Sequence, residues 1–386
     1  MKFDLKLFVL VGILAGIIVV ILFGGRGVKP VEKKDVEFDD DMKEKTLGEK
    51  EAAPTPKEEN AVIKAVYETG EEGYVKLIND AYSDKLDFIS VKKENDRNFI
   101  RLRVSDLQKN NNSELSYQMK RNVKYEVCFT FKKDAKVDSI ASMFVNCAKL
   151  TKVDLGNFVV GSVTDMSSMF LRCCALQEVS FGHFDSSNVT DMSDMFLVCS
   201  SLSKVDFGNF NTQNVENMSN MFSKCSALTK LNLSSFDTSN VTDMATMFNE
   251  CSSLKELNLS TFNTENVENM SWMFGNCSSL KELNLSSFNT EKVEDMSHMF
   301  YHCSALEKLN LGNFNFTSVV SVSEMFSGCS VLKTFVIPQQ VLYGKDDDVD
   351  FSDVFKKCHK LKLNRNPNID VISTFAEFIN VLRNNS

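Results

Sequence analysis

The sequence predicts an α/β solenoid with one short parallel strand and one short helix per coil, closed by a small α/β domain at one end and a helix at the other. Three observations predict it. Cys147, Cys173, Cys199, Cys225, Cys251, Cys277, Cys303 and Cys329 follow one another at a constant step of 26 residues. Met-Phe pairs keep the same step, from Met143-Phe144 to Met325-Phe326. Within each repeat the apolar spacing also changes, from the alternation of a strand to the three-residue spacing of a helix face. A fixed period of this length marks a chain of stacked units, none of which can bury its apolar face alone.

The repeat from Cys225 to Glu250 serves for all of them. Leu231 and Leu233 point one way while Lys230, Asn232 and Ser234 point the other, which predicts a strand. Phe236 turns the chain inward. Asn240 and Asp243 are placed as the N-cap and third residue of a short helix, and Val241, Met244, Met247 and Phe248 lie on one side of it. Nine positions per coil are apolar: Cys225, Leu228, Leu231, Leu233, Phe236, Val241, Met244, Met247 and Phe248. Equivalent side chains of stacked coils run parallel, whereas a disulfide needs Cβ atoms turned towards each other, so the cysteines are expected as buried free thiols.

In chain order, residues 1–24 are expected to form a signal anchor. Leu5 to Phe23 is an uncharged apolar run of 19 residues, near the length that crosses a bilayer. Lys2 and Lys6 precede it and Arg26, Lys29, Lys33 and Lys34 follow, so the charge count leans towards a cytoplasmic C-terminal side. Residues 25–60 are expected as a disordered acidic linker. Residues 61–124 are expected as a cap. Val62 to Val66 and Val75 to Ala81 suggest two short helices, Leu86–Val91 and Phe99–Val104 alternate like strands, and Asn110–Asn112 reads as a loop. The coils are expected over 125–365, because Val127 and Phe129 stand in phase with Val153 and Leu155. Cys358 follows Cys329 by 29 residues, so the last coil absorbs three extra. Residues 366–386 are expected to supply a capping helix, with Val371, Phe375, Phe378, Ile379 and Leu382 on one face.

The net charge is −9 with pI near 5.2, and no basic patch stands out, which argues against nucleic acid. No cofactor or metal is expected. His298 and His302, four residues apart, would share one face of a helix, but no acidic third ligand is placed near them. The Cys and Met-Phe columns read as core, so no catalytic residue is assigned.

The fuller pattern M-F-x-x-C-x-x-L-x-x-L-x-L-x-x-F-x-T-x-x-V-x-x-M, from Tyr125 to Leu361, resembles the BspA-like bacterial surface proteins with leucine-rich repeats, a group that includes listerial and mycoplasmal surface lipoproteins. That resemblance implies a leucine-rich-repeat-like fold and a non-catalytic cell-surface protein used for adhesion or other protein recognition. Phe236 and its equivalents replace the usual asparagine of such repeats, and no lipobox cysteine is present. Attachment would then rest on residues 5–23, placing the protein in the cell membrane as a single-pass protein with its repeats outside.

A protein ligand would meet the strand face. One column there reads Asp154, Ser180, Asp206, Asn232, Asn258, Asn284 and Asn310, and its neighbour includes Lys230, Glu256 and Glu282. Trp272, the only tryptophan, replaces the Ser168 of another coil at an expected exposed helix position and is the one residue that suggests a specific contact. The alternatives are a self-associating envelope spacer or a cytoplasm-facing scaffold.

Overall fold

The computed structural model describes residues 61–110, 114–161, 163–336, 350 and 352–361. Among them are fifteen β-strands, two short 3-10 turns and no α-helix. The chain is therefore not the helix-bearing α/β solenoid that its apolar spacing suggests. It is an all-β stack of layers in parallel register.

The reason lies in where the backbone hydrogen bonds go. Over Thr246 to Cys251 the N–H groups of Thr246, Phe248 and Glu250 reach forward to the carbonyls of Ser271, Met273 and Gly275 in the next layer, at 2.8–2.9 Å. The intervening Met247, Asn249 and Cys251 close tight turns onto Met244, Thr246 and Phe248. Thr246 and Glu250 hold φ of 58° and 59°, and the same two positions are left-handed in layer after layer. An α-helix needs right-handed residues throughout and directs its bonds along its own axis. Here left-handed residues, each costing about 1–2 kcal/mol, turn alternate N–H groups outward to the neighbouring layer. Asn240 is accordingly not an N-cap: its Nδ2 donates to the Gln213 carbonyl of the preceding layer. Asp243 accepts the Ala245 N–H in an Asx turn, and its column forms parallel bridges from Ser139 to Asp350.

The expected core is in place. All nine apolar positions of the Cys225 layer are buried. Phe144, Phe170, Phe196, Phe222, Phe248, Phe274, Phe300, Phe326 and Phe355 form one face-to-face stack with centroids 5.3–5.8 Å apart. The cysteines of the described residues are free, and at the repeating position from Cys173 to Cys329 each thiol donates to the carbonyl of the phenylalanine one layer back, as Cys251 does to Phe222 at 3.1 Å. Cys358 reaches Phe326 across 32 residues instead of 29, so the three extra residues leave this bond intact. Thr212, Thr238, Thr264 and Thr290 are also buried, and each hydroxyl clamps both backbone groups of one residue in the next layer.

The cap is β throughout, apart from its 3-10 turns. β1 (Val62–Thr69) and β2 (Gly73–Asn79) stand where two helices were expected. Ile63, Ala65, Tyr67 and Thr69 are buried on one face of β1, the two-residue period of a strand. β3 (Leu86–Lys93) covers its predicted span, whereas β4 (Ile100–Leu102) is shorter than predicted because a 3-10 turn takes Val104–Asp106. β5 (Gln108–Asn110), β6 (Glu114–Met119) and β7 (Val123–Phe131) complete the cap, and β8 (Leu150–Asn157) opens the ladder. β7 keeps the phase of the repeat but does not touch β8, because β1 lies between them, antiparallel to both. The sheet order is β10-β9-β8-β1-β7-β3-β4, with β9 at Glu178–Ser180 and β10 at Lys204–Asp206. Further strands, β11 (Lys230–Leu231), β12 (Glu256–Leu257), β13 (Glu282–Leu283), β14 (Lys308–Asn310) and β15 (Thr334–Val336), continue the series in parallel pairs.

No helix among the described residues is long and apolar enough to cross a membrane. The anchor expected at 1–24 lies outside the described residues, as do the linker at 25–60 and the helix at 366–386. Against the expected transmembrane segment, membrane partner and single-pass placement, no membrane-crossing helix is found among the described residues.

Candidate recognition surface

The strand ladder gathers the predicted face into one exposed strip: Asp206, Asn232, Asn258, Asn284 and Asn310 form one column, with Lys230, Glu256 and Glu282 beside it. The first column has a structural duty. The Oδ1 of Asp206, Asn232, Asn258, Asn284 and Asn310 accepts the N–H two residues on, at 2.9–3.1 Å, and so builds the turn after each strand. In the second column Glu178 bonds Lys152 at 2.8 Å and Lys204 at 2.6 Å. Those two bonds hold its carboxyl below the usual carboxylate range. Lys230, Glu256 and Glu282 make no ion pair among the described residues.

Trp272 does not join the strip. It sits in the turn segment, at a left-handed position with φ of 58°, and is half-buried rather than exposed. Its ring stacks on His298, the equivalent residue of the next layer, with centroids 4.2 Å apart and planes within 6°. Tyr301 leans across both rings, at 5.0 Å from Trp272 and 5.5 Å from His298, and lies 4.4 Å from His302. The Nε2 of His298 faces the Glu324 carboxylate at 3.6 Å, and its Nδ1 is buried without a hydrogen-bond partner.

Two glycines make room for these rings. A Cβ on Gly275 would lie 2.7 Å from Trp272 Cε3, and one on Gly328 would lie 2.7 Å from the His302 ring. Other layers carry Asn249 or Tyr301 at the first of these positions and Asn276 or His302 at the second. The aromatic cluster is therefore a coordinated local departure from the repeat. Tyr301, Glu324 and the two glycines were missed in the sequence, although a glycine three residues after Trp272 and another one repeat after His302 are legible signals. His298 and His302 serve this packing, and no group of three metal-ligating side chains occurs among the described residues.

Burial raises the core thiols. Cys251 and Cys303 are pushed from 9.0 to about 12, while Cys174 is exposed. A buried protonated thiol donating to a carbonyl is neither a nucleophile nor a metal ligand.

A layered β stack with an aromatic cluster on one flank and an ordered polar strip on its strand face defines a repeat-built scaffold. Its repeats match a family described as Mycoplasma protein of unknown function, DUF285, over residues 138–231 and 228–337. The chain belongs to that family. No curated protein matches it.

Proposed function

We propose that the chain is a non-catalytic protein-recognition or adhesion module and that Trp272, His298 and Tyr301 form its specific contact, with the strand-face strip in a lesser role. The aromatic cluster carries this reading, because in it the repeat gives up its regular residues and two side chains to hold rings together. Tryptophan and tyrosine supply large contact area at low entropic cost and dominate binding hot spots. The resemblance to BspA-like surface proteins supports recognition as the role. A self-associating spacer is the second reading, favoured by the use of the Asn232 column for the protein's own turns.

Trp272→Ser tests it. Serine occupies the equivalent position in another layer at φ of 56°, as Ser168, so the fold tolerates it. A protein retained by the wild type should lose at least about 2 kcal/mol of binding to the variant at equal thermal stability. Equal retention would refute the assignment, and retention of the chain's own copies alone would favour the spacer.

A further inference from the structure

The three-stranded sheet of the cap ends in an open edge. β2 pairs with β6 alone, and its C-terminal half is docked on the first layer. There Asn79 donates its N–H to the Met143 carbonyl at 2.9 Å, and the Leu77 carbonyl accepts the Cys147 thiol at 3.4 Å. Its N-terminal half, Gly73 to Lys76, lines a groove of about 410 Å³ that also takes in Gln108, Glu114 and Ser116 of β5 and β6 and, from the first layer, Asn146, Ala148 and Lys149. That volume suits a small ligand or a few residues of extended chain.

The charges around the groove select its occupant. Lys76 is neutralised by Glu114 at 3.4 Å, with the lysine side chain only 10% exposed. Glu71, Glu72 and Lys149 also line the groove and make no ion pair among the described residues. Two uncompensated carboxylates face one uncompensated ammonium, so the groove favours positive charge. Tyr74 stands beside them with 55% exposure, the only aromatic among the exposed large hydrophobic side chains of the described residues.

We propose that this groove binds an extended segment of a partner protein, which adds as a strand beside Gly73–Lys76 and lays an arginine or lysine against Tyr74, Glu71 and Glu72. An edge strand offers unpaired N–H and C=O groups to such a segment, and side-chain sites then select the sequence. The Tyr74 face and two carboxylates provide cation–π and ionic contacts for one basic side chain. The site lies on the cap and first layer and is independent of the Trp272 cluster.

Heptapeptides displayed on phage and selected against the full chain test this. Enriched peptides should carry a basic residue among strand formers. A synthetic copy should bind about tenfold more weakly to Tyr74→Ala, and likewise to the double variant Glu71→Gln, Glu72→Gln, as loss of a cation–π contact and a partly exposed ion pair implies. N-methylation of alternate peptide amides should abolish binding in one phase, and Trp272→Ser should leave binding unchanged. Absence of enrichment, enrichment without a basic residue, insensitivity to the groove variants, or survival of N-methylation in both phases would overturn the proposal. The three substituted side chains are all exposed, and equal melting temperatures verify that the variants fold.

Discussion

Thr264→Val removes one clamp between layers and nothing else of similar size. Thr264 is 1% exposed. Its hydroxyl donates to the Asn289 carbonyl at 2.7 Å and accepts the Asn289 N–H at 2.8 Å. Valine keeps the shape and deletes both bonds. Each is worth about 1 kcal/mol net, and a backbone group left dry costs about 1–3 kcal/mol. Asn289 is itself exposed, so water can reach part of the vacated site, and the lower end of that range applies. The expected loss is about 2 kcal/mol, read as a lower midpoint in urea unfolding with an unchanged slope. Thr264→Ser is the control, because Ser186 already makes the same pair of bonds with Asn211. It should cost under about 1 kcal/mol, the transfer value of one buried methyl group. A valine variant as stable as the serine variant would refute the clamp.

The thiol column predicts that a native-state thiol reagent labels Cys174 first, while the buried layer cysteines react only on unfolding; rapid labelling of Cys251 would contradict this. Burial also sets an alkaline limit. Above the ordinary thiol value of 9.0 the unfolded chain releases protons that folded Cys251 and Cys303 keep up to about 12, so their contribution is complete below 9.0 and is lost as pH rises through that window. Denaturant midpoints should fall between pH 9 and 11, less so in a Cys251→Ala, Cys303→Ala variant; an equal fall in both proteins would oppose the assignment. Gly208→Ala should destabilise by about 2–4 kcal/mol, because its Cβ would lie 2.3 Å from the Gly182 carbonyl oxygen at φ of +55°. A loss within about 0.5 kcal/mol would show that the layers do not approach so closely.

The repeat and its core were legible because burial leaves a periodic residue, and all nine expected positions of the Cys225 layer are buried. The helix was misread because Val241, Met244, Met247 and Phe248 have a spacing that serves one-sided burial in either backbone. What separates the two is the pair of left-handed positions, held by residues as unlike as Thr246, Trp272 and His298, so side-chain chemistry gives no warning. β1 was only partly legible: Ile63, Ala65 and Tyr67 recur at two-residue steps between the charged Lys64 and Glu68, but the apolar Val66 breaks the alternation that burial shows. Its insertion between β7 and β8 was not legible, since phase in sequence does not specify adjacency. Trp272 stood out by composition alone, but its stacking on His298 needed knowledge that equivalent residues of neighbouring layers touch. The asparagine column looked like a free surface because an Asx turn and an exposed ligand contact call for the same side chain.

The layered architecture rests on hydrogen bonds that run between layers. It can be tested directly by detecting scalar couplings across hydrogen bonds in the labelled, deuterated protein. The Phe248 amide nitrogen should couple to the Met273 carbonyl carbon, and Thr246 and Glu250 to Ser271 and Gly275. Coupling of Phe248 to Met244 instead would mean an α-helix in each layer, and the layered β account would fall.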